Sequence, residues 1–160
     1  MIARFSNGNE LLRYVPCDDP IVPEDDLETP LTWSKVIVKQ GERYLLLYNI
    51  ARKQWESPGG GIEEGETPLQ AAIREVMEET CQKVDNLVFK GVFKMSLHNH
   101  NGRCEYGALY TAELEEVLPF SITTESDRII LWHPDEQLDD KFSELTHEVI
   151  KLVDGTFAAK

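Results

Sequence analysis

The chain has 160 residues, 41% of them hydrophobic and 28% charged, which are the proportions of a folded globular protein and exclude a wholly disordered one. A formal net charge of −13 opposes long-range attraction to nucleic-acid polymers and anionic membranes, and leaves room for a small phosphorylated ligand where a metal ion and local basic groups offset the field. The three cysteines (Cys17, Cys81, Cys104) fit neither a disulfide framework nor a zinc spacing, and no apolar run could span a bilayer.

The opening MIARFSNGNE has no signal-peptide core, so a reducing cytoplasm is the expected setting. Residues 2–15 read as a hairpin about Asn7-Gly8, with a short helix from Asn9 as the competing reading. Residues 16–30, PCDDPIVPEDDLETP, form an extended acidic connector rich in proline, too near the terminus to separate two full domains. A single domain over 1–160 is expected. The N-terminal segment and connector offer a surface to a second copy of the chain, although nothing in their pattern requires a homodimer.

Next, TWSKVIVKQ reads as a strand, Gly41-Glu42 as a turn, and RYLLLYNIA as a second strand apolar enough to be central. Lys53 to Trp55 is a short strand running into SPGGG. The spacing of Leu69, Ala72, Ile73, Val76 and Thr80 predicts a helix over Pro68 to Thr80, with Thr67 as N-cap and Pro68 at its first position. Two strands follow, Asn86 to Leu97 and Arg103 to Glu113, joined by HNHNG. Arg128 to His133 is a last strand, and Ser143 caps a closing helix that runs through Val153 and stops at Gly155. Strands around two separated helices imply a mixed sheet between helices, an α/β/α sandwich.

The chemistry concentrates in GGGIEEGETPLQAAIREVMEETC, from residue 59. At about 100° per residue, Glu75, Glu78 and Glu79 share one face of the predicted helix, with Leu69, Ile73 and Val76 roughly opposite. Like charges at this spacing repel unless neutralised. Oxygen-only ligands suit a hard cation, Mg²⁺ or Mn²⁺. The plain alternative is a solvated acidic face. Against it stand Gly59, Gly60 and Gly61 just upstream, which permit close approach of a ligand and unusual φ angles.

This segment resembles the Nudix box, GX5EX7REUXEEXGU with U aliphatic. Gly60 begins it, Glu66 is its first acid, and Arg74, Glu75, Val76, Glu78 and Glu79 fill REUXEE in register. Two positions depart from it: Cys81 replaces the glycine after the acids and Gln82 the final aliphatic residue. If Cys81 takes the left-handed conformation at the helix end, it costs about 1–2 kcal/mol relative to glycine.

The resemblance implies hydrolysis of a nucleoside diphosphate linked to another moiety by attack of water at phosphorus. A nucleoside triphosphate, possible oxidised forms included, is the leading substrate; ADP-ribose or a nucleotide sugar is the alternative, and a non-catalytic nucleotide sensor the reading from another class. Carried over by position, Glu75, Glu78 and Glu79 bind the metals, and Glu79 orients or deprotonates the water. The carbonyl of Gly59 or Gly60 adds a ligand. Arg74 pairs with an acid of the motif and ties helix to loop, against the competing reading of an ordinary surface pair with Glu78. Glu66 is structural, and Gly60 and Gly61 lie against the substrate. A further acid from outside the box is expected, Glu125 first and Glu105 behind it. Arg52 and Lys53 are placed to meet phosphates, or else serve solubility.

His98, His100 and Cys104 match no standard metal spacing, so the histidines read as exposed loop residues and Cys104 as a small core residue. Trp33 and Trp55 read as core aromatics, with base stacking as the alternative.

Overall fold

The computed structural model describes residues 1–17 and 30–157. Nearly all of the expected acidic connector lies outside the described residues. The described residues form nine strands: β1 (Ala3–Arg4), β2 (Glu10–Pro16), β3 (Leu31–Gln40), β4 (Arg43–Asn49), β5 (Gln54–Glu56), β6 (Gly59–Gly61), β7 (Val88–Leu97), β8 (Arg103–Glu113) and β9 (Ser126–Trp132). The α-helices of the described residues are α1 (Pro68–Thr80) and α2 (Glu144–Val153). The sheet runs β1-β2-β7-β8-β3-β4-β5, with β6 added on β3 and β9 on β4. Among the described strands β3 and β8 pair parallel, from Leu31 opposite Tyr106 to Lys39 opposite Glu113, and the other strand pairs are antiparallel, so the sheet is mixed.

The N-terminal segment is a hairpin, not a helix. Gly8 takes φ 86° at the turn, the Phe5 N–H donates to the Asn9 carbonyl at 2.9 Å, and the Asn7 amide oxygen accepts from the Asn9 N–H at 2.9 Å. β2 then pairs antiparallel with β7.

Both faces of the sheet are covered, which is why β4 reads as a continuous apolar run rather than an alternating one. Neighbouring residues of β3 divide between two cores. Val36 and Val38 pack with Ala72 and Val76 of α1, whereas Ile37 packs with Val149 and Ile150 of α2. In β4, Leu45 joins the α1 side and Tyr44, Leu46 and Tyr48 the α2 side. The helices therefore lie on opposite faces, giving the expected α/β/α arrangement.

β3 also changes partner along its free edge. Lys39 and Gln40 pair with β4, but Trp33, Ser34 and Lys35 pair with Gly61, Gly60 and Gly59. The glycine segment is thus a short strand inserted where β4 diverges from β3, and none of its three glycines has a positive φ. The expectation of unusual φ angles there fails. Sheet pairing supplies ordinary extended backbone, and the missing side chains serve close approach instead.

Helix α1 begins as expected, with a full capping box: the Thr67 hydroxyl accepts from the Gln70 N–H and the Gln70 side chain accepts from the Thr67 N–H. Its expected apolar face is corrected. Ala71, Ala72, Glu75, Val76, Glu79 and Thr80 are buried, while Leu69, Ile73 and Met77 are 42%, 36% and 43% exposed. Small alanines let the helix lie close on β3 and β6, and that orientation turns the carboxylates inward and the larger apolar side chains out.

The helix ends on Cys81 at φ 59°, ψ 17°, in the left-handed conformation a glycine would adopt without strain. Its N–H donates to the Met77 carbonyl at 2.9 Å. Gln82, in place of an aliphatic residue, is fully buried yet satisfied: its Nε2 donates to the Leu118 carbonyl at 2.9 Å and its Oε1 accepts from the Leu118 N–H at 2.7 Å.

Other boundaries shift by small amounts. The short strand is Gln54–Glu56, because Lys53 sits in the preceding turn at φ 51°, and the last strand begins at Ser126. Ser143 caps α2 through its hydroxyl, which accepts from the Thr146 N–H. Gly155 does not stop that helix in a left-handed cap. Asp154 ends it at φ −133°, its carboxylate accepting from the Tyr44 hydroxyl at 2.6 Å and from Thr156.

Candidate active site

The inward turn of α1 sets Glu75 and Glu79 behind the glycine strand. Oxygens of Glu75, Glu79 and Glu125 all lie within 4.8 Å of one another. Gly60 makes this possible, and Gly59 lets the glycine strand lie close on β3. A Cβ on Gly60 would lie 2.3 Å from Glu75 Oε1, and one on Gly59 would lie 2.6 Å from the Ser34 carbonyl. The Gly59 N–H donates to Glu79 Oε1 at 2.8 Å, and the second carboxylate oxygen of Glu79 has no donor among the described residues.

Two like charges at this separation repel by about 3 kcal/mol at the effective dielectric of a protein site. Burial adds to the cost. It pushes the Glu79 carboxyl up to about 8, opposed by the Gly59 N–H and by Lys35 and reinforced by Glu75 and Glu125. Burial also raises Glu75, with Arg74 opposing and Glu78 and Glu125 adding to it. These oxygens would hold a divalent cation, whose charge would offset the repulsion among the three converging carboxylates.

Arg74 is a hub, not a surface pair. Its guanidinium donates to both oxygens of Glu66, at 2.7 and 2.8 Å, to Glu75 at 2.9 Å, to Glu78 at 3.1 Å, and to the Gly61 carbonyl at 2.8 Å. One side chain therefore joins α1, the glycine strand and the loop that leads into the helix. The paired guanidinium holds the Glu66 carboxyl down at about 2.

Glu78 stands apart. Its side chain is 57% exposed and lies outside the Glu75–Glu79–Glu125 group. Glu125, from the loop ahead of β9, enters the group because the Ile50 N–H donates to its carbonyl at 2.9 Å and Thr123 holds its N–H. Glu105 does not enter; it is paired with Arg103 at 2.6 Å. The Arg52 guanidinium rests on the buried Glu56, at 2.6 and 3.1 Å, and Lys53 is exposed in its turn.

Lys35 and Glu56 are further charged groups that the sequence pattern did not single out. Both are buried, at 6% and 4% exposure, and both line a cleft beside the glycine strand. Lys35 Nζ donates to the Ser57 carbonyl at 2.6 Å, and burial lowers its affinity for the proton while Glu56 and Glu79 raise it. Burial raises the Glu56 carboxyl, but hydrogen bonds from Arg52 and Gln54 and the charge of Lys35 hold it below its usual range. The available signal was a lysine inside an otherwise apolar strand, KVIV, and a glutamate directly before SPGGG.

His98 and His100 are exposed in a 3-10 turn, as expected, whereas Cys104 is half-buried rather than core. Trp55 is core, its indole N–H donating to Asp139 at 2.8 Å. Trp33 is partly buried, packs edge-on against Phe93 at 4.8 Å, and lines a cleft of about 520 Å³ on the α2 side of the glycine strand.

A carboxylate cluster thus lies behind a glycine strand, on a mixed sheet with a helix on each face. The chain belongs to the Nudix family: the NUDIX domain profile matches residues 31–153. Members generally use a divalent metal. Among curated relatives, an RNA pyrophosphohydrolase of Agrobacterium fabrum is 38% identical over 79 residues, 49% of this chain and 43% of the relative. A MutT-like protein of Streptomyces ambofaciens is 35% identical over 75 residues, 45% of this chain and 49% of the relative. The chain thus spans about half the length of such relatives.

Among solved structures, a Bacillus subtilis pyrophosphohydrolase aligns with a TM-score of 0.67 at 22% identity, over 92% of this chain and 93% of that one. A NUDIX hydrolase from Nitrosomonas europaea gives 0.66 at 23% identity, over 78% and 88%. At these identities the likeness is one of fold.

Proposed function

We propose that this protein hydrolyses nucleoside triphosphates to the monophosphate and pyrophosphate, with Mg²⁺ as the ion its carboxylates hold. The observation that carries the reading is the convergence of Glu75, Glu79 and Glu125 behind a strand of glycines. Those three would hold the cation, with the exposed Glu78 at the rim and the carbonyl of Gly59 or Gly60 as a further ligand. Mn²⁺ suits the same oxygens. When bound, the metal offsets phosphate charge, polarises the P–O bond and makes a bound water more acidic.

The chain's own residues do the rest. Glu79 orients the attacking water and takes its proton at the oxygen not spent on the Gly59 N–H. Arg74 fixes the glycine strand to α1, so the carboxylates and the phosphate path keep one geometry. Arg52, with its guanidinium partly free beyond Glu56, meets the phosphates.

A 5′-triphosphate at the end of an RNA offers the same bond, and the name of the Agrobacterium relative favours it as a second substrate. The net charge of −13 opposes a polymer at long range, which places the free nucleotide first. A sensor without activity would not need all three box acids, and none is lost. The three cysteines, none of them joined in a disulfide among the described residues, suit the reducing cytoplasm where such nucleotides occur.

The test is pyrophosphate release from a nucleotide panel and a 5′-triphosphorylated oligoribonucleotide with Mg²⁺, for the parent chain and Glu79→Gln. Release by the parent and a loss of at least a hundredfold in the variant are expected. No release from any substrate, or equal release by both proteins, overturns the reading.

A further inference from the structure

The family match begins at residue 31, yet the hairpin of β1 and β2 closes one side of the cleft beside the glycine strand. We propose that this hairpin is the nucleoside-recognising wall of the site and that it reads the hydrogen-bond acceptors of a base, guanine before adenine. The inference rests on the nucleotide reading above.

The hairpin is held in place from two sides. The Ser6 N–H and hydroxyl both donate to the carboxylate of Glu144 in the first turn of α2, at 3.0 and 2.6 Å. The Asn9 amide oxygen accepts from the His98 N–H at 2.9 Å, in the turn between β7 and β8. Gly8 lies so close to the His98 ring that a Cβ would stand 2.7 Å from it. The turn is therefore a fixed wall rather than a loose arm.

What the wall and its neighbours present is a set of apolar surfaces with unspent donors. Phe5, Trp33, Met95 and Leu97 line the cleft, which at about 520 Å³ suits a flat heterocycle with its sugar. Trp33 Nε1 is buried with no acceptor among the described residues. Asn7 and Asn9 also line the cleft, and each spends its amide oxygen on a backbone N–H. Because a backbone N–H can only donate, the orientation of both amides is settled, and their NH₂ groups make no hydrogen bond among the described residues.

A ligand that satisfies these donors must bring acceptors. Guanine offers N7 and O6 side by side, whereas adenine puts an amino donor where O6 would be. The cleft also contains Gly59, Gly60 and Gly61, with the carboxylates on the far side of that strand. A base in the cleft thus leaves its phosphates to cross the glycines toward Glu75 and Glu79.

The experiment compares kcat/KM for GTP and ATP in the parent chain, Asn7→Asp and Asn9→Asp. Each substitution keeps the oxygen that accepts the backbone N–H and replaces the NH₂ group with an acceptor. The parent should favour GTP, and the GTP:ATP ratio should fall about tenfold, about 1.4 kcal/mol, in Asn9→Asp and less at the exposed Asn7. The added charge weakens both nucleotides alike, so the ratio isolates recognition of the base. GDP and ADP binding to Glu79→Gln, followed by calorimetry, separates the two readings. If nothing is hydrolysed but GDP binds more tightly, the hydrolytic reading falls and the cleft assignment stands. Equal affinities for GDP and ADP, or a ratio that neither asparagine variant changes, overturns the assignment.

Discussion

Replacing Glu79 by glutamine preserves the oxygen that accepts the Gly59 N–H and removes the charge, so it isolates what ionising this buried carboxyl costs the fold. Glu79 is 2% exposed, and burial pushes it up to about 8 from an ordinary 4.5. The folded value lies above the unfolded one. Below about pH 4.5 both states hold the proton and no penalty arises. Between 4.5 and 8 the folded protein retains a proton that the unfolded chain releases, so stability falls as pH rises, and the full penalty applies above about 8.

At 1.36 kcal/mol per unit, a shift from 4.5 to about 8 caps the penalty at about 5 kcal/mol. Lys35 shares the charge and the cluster relaxes when it ionises, which brings the expected value to about 2–3 kcal/mol. For a chain of this length each kcal/mol moves the melting temperature by about 2–4 °C. Melting curves in EDTA should therefore show Glu79→Gln equal to the parent near pH 5 and about 5–10 °C more stable at pH 9. Millimolar Mg²⁺ should stabilise the parent and leave the variant nearly unchanged, because only the parent keeps the full carboxylate set. A variant that gains no stability between pH 5 and pH 9 in EDTA would refute the argument that burial and like charge strain this site.

Three further substitutions probe neighbouring parts. Cys81→Gly should raise the unfolding free energy by about 1 kcal/mol, read from the urea midpoint, since glycine adopts φ 59° without strain; a lower midpoint would mean the Cys81 contact with the Ser121 carbonyl outweighs the backbone effect. Gly60→Ala places a methyl group 2.3 Å from Glu75 Oε1, so kcat should fall at least tenfold and the Mg²⁺ requirement should rise; unchanged metal dependence would contradict the close-approach role. Arg74→Lys keeps a charge but loses the paired bonds to Glu66 and the reach to Gly61, and should cost about 2–3 kcal/mol in urea unfolding, whereas a surface-type loss below about 0.5 kcal/mol would contradict its role as hub.

Much of this fold is visible in the sequence because short-range chemistry decides it. Asn7-Gly8 makes a hairpin, Thr67 and Pro68 begin a helix, and β3 and β4 carry apolar runs suited to a sheet covered on both faces. The errors arise where tertiary contacts override local pattern. Gly155 looks like a helix stop, yet Asp154 ends α2 by accepting from Tyr44, a residue 110 positions away. Lys53 looks like the start of a strand, but the chain first turns there so that Arg52 can reach Glu56.

The site shows the same division in sharper form. The spacing of Glu75, Glu78 and Glu79 identifies a helical acid face but not which acids converge, because angular position alone cannot say what the helix packs on. Two of them do, and the third partner is Glu125, which no helical periodicity could supply. Helix α1 accordingly contradicts the rule that its apolar residues mark its buried face, with Ile73 and Met77 outside and Glu75 and Glu79 inside. Local consistency is abandoned where the carboxylates converge, and the capping box, the alanine pair and the Arg74 bonds offset the cost of holding them together. The departures from the family box fall on the other side of that boundary: Cys81 and Gln82 alter how the helix is anchored, through backbone strain and the bonds to Leu118, and leave the converging oxygens untouched.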